Sequence, residues 1–541
     1  MQNNNNKKTQ RVVIVGGGSS GWIAAAYLNG ALNQRGEKPR VDITVIESPD
    51  IPRISVGEAT IPAIQHVLSV IGLNEAEFLQ QTDATFKQSI KYCNWVKKDN
   101  TFYHHPFSSM RVQPLDFAAQ RWLASDRSIP FMETCSAQPI ICEWGLAPKM
   151  MGEWRMGPPL TYAYHMDAQK FADYLRDFSK ARGVGHIAAN MTDVSLTAEG
   201  SVSSVNTDCA GEIEGDLFID CTGFRAKLIE EQLQVGWDDC SQWLLCDRAV
   251  TMHLPYDRFY PGEVRPYTTA TALSNGWVWD IPMQSRRSVG YVHSSAYISK
   301  QDAEAELRAY QGGDSSSQDV RFIDFKVGRR RQNWVNNVVA VGLSGGFIEP
   351  LESTGLYLSE LGVVALAEYF PWQASSMQAM SERYNRVLQN RYYEILDFIN
   401  MHYCLTQRDD TEFWREVRKP QRINPRLQQK LALWQHKPPT FHDFQDQCFG
   451  SPTAAATTLS GDARAPIDTA GLWNHESYQC ILYGMHYDGS FSKGDQPPRV
   501  PKAIIQRLQM ARQMLPPHAY WLQQKVGMAN YATAHRPPGW V

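Results

Sequence analysis

The period of the hydrophobic pattern changes along the chain, and each change marks an element. Val12, Val13, Ile14 and Val15 form an unbroken apolar run, as a strand buried on both faces requires. Small residues at Ala24, Ala25 and Ala26 then predict a closely packed helix, and the run 41–46 predicts the next parallel strand. A turn at 57–60 is expected to cap a helix after Pro62, with further helix around 73–81. Helical periodicity covers 167–182 and 353–370, the second strongly apolar and stopped by Pro371. Alternation over 201–206 and 212–214 predicts a meander that ends in the buried run 216–223 and rejoins the first sheet. Residues 247–294 read as antiparallel strands with a hairpin turn at Asn275-Gly276, and 334–346 as one more buried strand. The stretch 98–160, rich in Pro, Met and Trp, reads as loops and short strands over a ligand. From 376 the chain is mainly helical, broken by a small-residue tract at 449–471.

These elements place the chain in the α/β class. A Rossmann-type domain is expected over 11–375, with substrate-covering segments inserted at about 98–160 and 247–294. A mainly helical substrate module follows over 376–541, and the polar residues 1–10 are expected to be disordered. At 541 residues there is core for two or three domains. A net charge of −3 gives no pull toward nucleic acid or an anionic membrane, and the cluster Lys326, Arg329, Arg330, Arg331 reads as a solvated or phosphate-facing edge. The ten cysteines include no CxxC pair, so zinc fingers and thioredoxin-type redox lack support, and no metal site is expected. No signal-peptide core or membrane-length apolar run occurs, so a reduced cytoplasmic enzyme is expected.

The first strand runs into Gly16, Gly18 and Gly21, a GxGxxG turn opening a helix at Ser19 and Ser20. The first glycine makes the turn, the second lets the backbone approach a pyrophosphate, and the third packs helix on strand. Glu47 closes the second strand about where a ribose-binding acid is expected. Strand, turn, helix and acid together read as a dinucleotide site. Three further stretches carry chemistry. Trp277 and Trp279 of WVWDIP share one face of a strand as an indole wall, though core filling is the plainer reading. In EPLESTG, free N–H groups at Thr354 and Gly355 would open a helix and accept an anion. Lys87 sits in the half-buried pattern TFKQSIKY, where by itself it reads as an ordinary snorkelling lysine.

Taken together, GGGSSGW (16–22), VGEATIP (56–62), the lysine segment, TYAYHMDA (161–168), DLFIDCTGF (216–224), WVWDIP (277–282) and EPLESTG (349–355) resemble the flavin-dependent tryptophan halogenases. The resemblance implies a glutathione-reductase-like FAD-binding fold, with Gly57, Gly223 and Leu351 beside the glycine turn at the cofactor. It also implies a two-component enzyme. Reduced FAD (FADH2), supplied by a separate flavin reductase, would act with O2 on chloride or bromide held near Thr354 and Gly355. The resulting hypohalous acid would pass to Lys87, held there as a haloamine or by a hydrogen bond, for electrophilic halogenation of an electron-rich arene, with Glu352 stabilising the cationic ring or helping to polarise the halogen donor. The tryptophan pair would keep substrate and flavin apart, and a homodimer is the familial expectation. The chain carries no second GxGxxG for a nicotinamide nucleotide, which agrees with reduced flavin arriving from outside. A flavin-dependent aromatic monooxygenase or a non-catalytic flavin-binding protein are the competing readings of the fold.

On the substrate side, FYHHPF makes His104 and Phe107 candidates, and the stretch LWNHESY makes Trp473 and Asn474 candidates to cover the ring. A hydrogen-bonded structural histidine is the competing reading of His104. The preceding segment 451–471 has neither tyrosine nor glutamate, where the family holds the ammonium and carboxylate of free tryptophan. A bare indole, another electron-rich arene or a peptide-borne indole would fit a less charged pocket.

Overall fold

Gln10–Val15 lies inside a six-stranded sheet in the order Trp334–Val335, Val338–Ala340, Leu217–Asp220, Gln10–Val15, Val41–Glu47, Gly185–Ala188. The computed structural model describes residues 9–33, 37–53, 56–108, 117–156, 159–259, 264–312, 315–444 and 472–531. All neighbours in this sheet pair in parallel except the terminal Trp334–Val335 strand, and Val12 sits between Ile43 and Leu217. The unbroken apolar runs are explained by this placement, since helices cover the sheet. The helix Ser19–Leu32 buries Trp22, Ile23, Ala24, Ala25 and Leu28 completely. It packs against Ala168–Lys180 on one side and Thr354–Glu368 on another, which is why neither it nor Thr354–Glu368 shows a single apolar stripe. Ala168–Lys180 starts where Asp167 accepts the N–H groups of Gln169 and Lys170.

A second, seven-stranded sheet runs Val320–Asp324, Arg248–Pro255, Arg286–His293, Gly276–Pro282, Thr268–Ala272, Ser89–Cys93, Phe102–Pro106. The expected antiparallel strands of 247–294 are all here, with Asn275 beside the Thr268–Ala272/Gly276–Pro282 hairpin turn. A small sheet joins Gly57–Ala59 and Thr85–Lys87 to the two edges of Ala163–Asp167. From Met377 the described chain is helical, including the long helix Met377–Cys404 and, further on, His475–Gly484, Lys502–Met514 and His518–Val526.

Four expectations change. Residues 57–59 form a strand rather than a turn, because they find a ladder on Ala163–Asp167. The 98–160 stretch contains helices at Ala118–Leu123 and Gln138–Glu143 besides its strand. The 334–346 run is two short antiparallel strands, turned at Asn336 with φ of 50°. Arg329 and Arg330 are buried rather than solvated, since Gly328–Arg330 is enclosed between Trp237–Asp239 and Gly346–Phe347. Arg329 pairs with Asp238 at 2.8 Å and Arg330 with Glu230. Among the described residues no helix is long and apolar enough to cross a membrane, no acidic, His or Cys cluster could hold a metal, and the nine cysteines are free.

Candidate active site

Beside the glycine turn lies a cavity lined by Ser19, Ser20, Gly57, Gly223, Leu351 and Gly355, with Trp277 and Trp279 also in its wall. Local geometry fits a dinucleotide. A Cβ on Gly16, at φ of 115°, would lie 2.2 Å from the Cys221 carbonyl oxygen, so only glycine makes this turn. A Cβ on Gly21 would lie 1.9 Å from the Gly16 carbonyl, whereas Gly18 and Gly223 face open space. That is the division of labour a pyrophosphate on a helix N-terminus demands. Glu47 ends its strand beside Gly17 and accepts from Arg53 Nε and His186 Nε2, both at 3.1 Å. Arg53, which lines the cavity, was not singled out by the sequence. Gly57 also serves packing: a Cβ there would stand 2.5 Å from Ser288 Cβ.

EPLESTG, which also lines this cavity, makes an unusual turn. Glu352 and Ser353 both adopt left-handed backbone, at φ of 66° and 60°. Two such non-glycine residues cost of order 1–3 kcal/mol each and are found where surrounding structure holds them for a purpose. The turn sends adjacent side chains to different partners. Ser353 Oγ lies 2.7 Å from Lys87 Nζ, which also donates to the Thr60 carbonyl at 2.9 Å. Lys87 is fully buried, its amine 5.3 Å from the Phe107 ring centre. Burial lowers its pKa to about 7, against a smaller opposing pull from Glu352.

Glu352 is the hub of the site. It accepts from Tyr92 Oη, from His105 Nδ1 at 2.9 and 3.0 Å, and from His402 Nε2 at 3.1 Å. Burial pushes its carboxyl up, but His105 and His402 together outweigh this and hold it well below the usual carboxylate range. His402 Nδ1 faces the Phe398 carbonyl at 2.8 Å, so both ring nitrogens address acceptors. Glu349, three residues earlier, is also fully buried. Its Oε1 accepts from Trp277 Nε1 at 3.1 Å and Tyr403 Oη at 2.7 Å, and burial raises its pKa to about 7. Thr354 Oγ1 and Glu349 Oε2 are buried without a hydrogen-bond partner.

The substrate-side residues divide. Trp473 stacks on Phe398, ring centres 4.1 Å apart, and Phe398 adjoins both His105 and His402. Asn474 instead caps the helix His475–Gly484, accepting from the N–H groups of Glu476 and Ser477. His104 is turned away from Glu352: its Nδ1 bonds Ser89 Oγ at 2.9 Å and its Nε2 lies 2.9 Å from Glu143. Strand alternation puts the neighbouring His105 on the face toward Glu352, so His105 and Phe107, not His104, flank the lysine and glutamate. Segment 451–471 lies outside the described residues. Sequence reasoning missed Ser353 as lysine partner, and it missed Tyr92, His105 and His402 around Glu352. Strand parity could have found His105, whereas His402 carries no local signal.

A glycine-turn dinucleotide fold, with the left-handed Glu352-Ser353 turn lining its cavity and a buried lysine bonded to Ser353, is the arrangement of a flavin-type oxidoreductase. A family profile described as tryptophan halogenase matches residues 11–493, and the chain belongs to that family. It is 35% identical over 489 residues to a tryptophan 7-halogenase of Kutzneria sp. (strain 744), covering 86% of this chain and 87% of that one. The structure of a tryptophan halogenase from Shewanella frigidimarina superposes with a TM-score of 0.86 at 32% identity, covering 96% of this chain and 99% of that one. A flavin-dependent halogenase from Xanthomonas campestris superposes with a TM-score of 0.79 at 30% identity, covering 98% and 100%. The protein is thus a flavin-dependent halogenating enzyme that uses FAD and halide.

Proposed function

We propose that Lys87 carries activated halogen to an indole-type arene while Glu352 stabilises the cation that forms on the ring. The observation that carries this reading is the buried Lys87 amine, 2.7 Å from Ser353 Oγ and one residue from the Glu352 hub. Reduced FAD, when bound beside these residues, would supply with O2 the oxidation of halide to hypohalous acid. Ser19, Ser20, Gly18 and Gly223 would hold the cofactor, with Glu47 at its ribose. Thr354 and Gly355 would hold the halide, which suits the unpartnered Thr354 hydroxyl at a helix N-terminus. Trp277 and Trp279, ring centres 6.4 Å apart, would keep an aromatic substrate from the flavin.

Lys87 acts through its neutral amine, a nucleophile toward electrophilic halogen, and Thr60 and Ser353 orient its lone pair. Glu352 acts as a fixed negative charge. In a dry site it stabilises positive charge developing on the ring and is ready to receive the displaced ring proton. His105, Phe107 and Trp473 would frame a flat apolar substrate. A separate reductase delivers the reduced cofactor, in the reducing cytoplasm that the free cysteines suit.

The substrate proposed is an indole without the amino-acid end, or an indole on a larger molecule, because residues 451–471 supply no tyrosine or glutamate clamp. The test is incubation with FAD, a flavin reductase, NADH, O2 and bromide, offering indole, free tryptophan and a tryptophan-containing peptide. Bromination of indole or peptide in preference to tryptophan is expected, read from the paired isotope peaks. Efficient bromination of free tryptophan would overturn the substrate reading, and addition of oxygen alone would overturn the Lys87 mechanism.

A further inference from the structure

The strand that presents the lysine, Thr85–Lys87, is three residues long and pairs only along one edge, with Ala163–Asp167. Its other edge is closed by a histidine from the end of the chain. The Phe86 N–H donates to His518 Nε2 at 3.2 Å. His518 Nδ1–H in turn donates to the Val264 carbonyl at 2.8 Å, which fixes the tautomer with the Nε2 lone pair toward Phe86. The ring is braced in place. The His518 N–H donates to the Gly145 carbonyl at 2.8 Å, and the Ala147 N–H donates to the Pro516 carbonyl at 2.9 Å. Trp521, one turn on, packs its ring edge-on against Phe86 at 4.9 Å and donates to the Met150 carbonyl at 3.2 Å. This helix, His518–Val526, lies beyond the 11–493 family match, and none of the motifs points to it.

We propose that His518 is a positioning residue for Lys87: by accepting the Phe86 N–H it fixes the short edge strand that aims the lysine amine at Thr60 and Ser353. The inference rests on the reading of Lys87 as the halogen carrier. A three-residue strand has few ladder bonds of its own, and a buried N–H left without an acceptor is costly. A strand freed at Phe86 admits water to the amine and relieves the burial that keeps it neutral. The titratable groups facing Lys87 are Glu352 and His165. His165 stays neutral: Thr85 Oγ1 donates to the Pro282 carbonyl and so accepts from His165 Nδ1–H, while Thr268 Oγ1 donates to its Nε2. His518 stays neutral as well, burial lowering its pKa to about 4, so the acceptor toward Phe86 persists across the working pH range.

Asparagine and glutamine separate the two bonds. H518Q carries its carbonyl near the Nε2 position and retains an acceptor for Phe86. H518N places its amide near Nδ1, keeping Val264 and losing Phe86. Trace labelling of Lys87 with acetic anhydride across pH, read by peptide mass spectrometry, reports the titration of the amine directly in the full-length protein. In H518N the midpoint is expected to rise by about one pH unit, so labelling at neutral pH falls about fivefold, while H518Q follows the wild type. Equal midpoints in wild type and H518N overturn the proposal, and so do equal shifts in H518N and H518Q, which would trace the effect to lost ring packing. Should H518N not fold, amide exchange in the wild type decides, because a freely exchanging Phe86 N–H at neutral pH also overturns it. If K87M still halogenates, the halogen-carrier reading falls, whereas the labelling comparison would still decide whether His518 positions the strand.

Discussion

The indole N–H of Trp277 donates to Glu349 Oε1 at 3.1 Å, and the same oxygen accepts from Tyr403 Oη at 2.7 Å. One buried carboxyl thus ties the proposed indole wall to the long helix Met377–Cys404, whose next-to-last residue is Tyr403. Replacing Glu349 by leucine leaves the Trp277 N–H without an acceptor and Tyr403 Oη with only Cys246 Sγ at 3.5 Å, at about 1–3 kcal/mol each, whereas glutamine keeps a carbonyl for both. E349L is expected to lose about 2–4 kcal/mol in chemical denaturation and E349Q less than about 1 kcal/mol. Trp277 is then free to turn, so E349L should also release more hydrogen peroxide per halogenated product than E349Q. Equal coupling in the two variants would remove Glu349 from the wall.

Thr354 Oγ1 is fully buried with no hydrogen-bond partner, beside N–H groups that open the helix Thr354–Glu368. A donor left idle in the protein alone is what a halide site requires. Valine has the same shape without the hydroxyl. T354V is expected to fold with unchanged or slightly higher stability and to need about tenfold more bromide for half-maximal rate, a loss of about 1.4 kcal/mol. An unchanged halide requirement would place the ion elsewhere.

The parts of this site legible in the sequence are those whose chemistry is local. Gly16, Gly18 and Gly21 announce themselves because the turn, the open approach and the close packing each exclude a side chain at a known spacing. EPLESTG is visible as a motif, yet its strained turn is not, because nothing in Glu352 or Ser353 as residue types signals a left-handed backbone. The choice between His104 and His105 depended on strand parity, which is set by the pairing of Phe102–Pro106 with Ser89–Cys93. His402 and His518 could not be read at all. They reach the site from helices that touch it only through tertiary packing, and a lone helical histidine looks the same wherever it points.

Glu352 is held ionised by His105 and His402 despite complete burial. E352Q preserves shape and most hydrogen bonds but removes the charge. The ring-halogenation rate is expected to fall about 10²–10³-fold, as for loss of one preorganised electrostatic group. Formation of hypohalous acid, trapped by a chlorinatable or brominatable dye in the same reaction, should be little changed. A parallel loss of both would mean that Glu352 acts on the oxidation step rather than on the arene.

Lys87 should act against stability, and its pH dependence shows why. Burial lowers its pKa from 10.5 to about 7, so between those values the unfolded chain binds more protons than the folded one. Stability from this group therefore rises with pH through that window, and below about pH 7 the folded state bears the full cost of a buried ammonium. K87M removes the charge and keeps the length, losing only the bonds to Thr60 and Ser353, about 1 kcal/mol net each. At about pH 6 K87M is expected to be more stable than wild type by about 1–2 kcal/mol, in spite of losing halogenation. That advantage should shrink toward zero or reverse as the pH approaches about 10, where the wild-type amine is neutral in the folded state. Denaturation midpoints of the two proteins at a series of pH values measure it. A constant difference across the series would show that the lysine is not desolvated in the folded enzyme, and would remove the neutral amine on which its proposed chemistry depends.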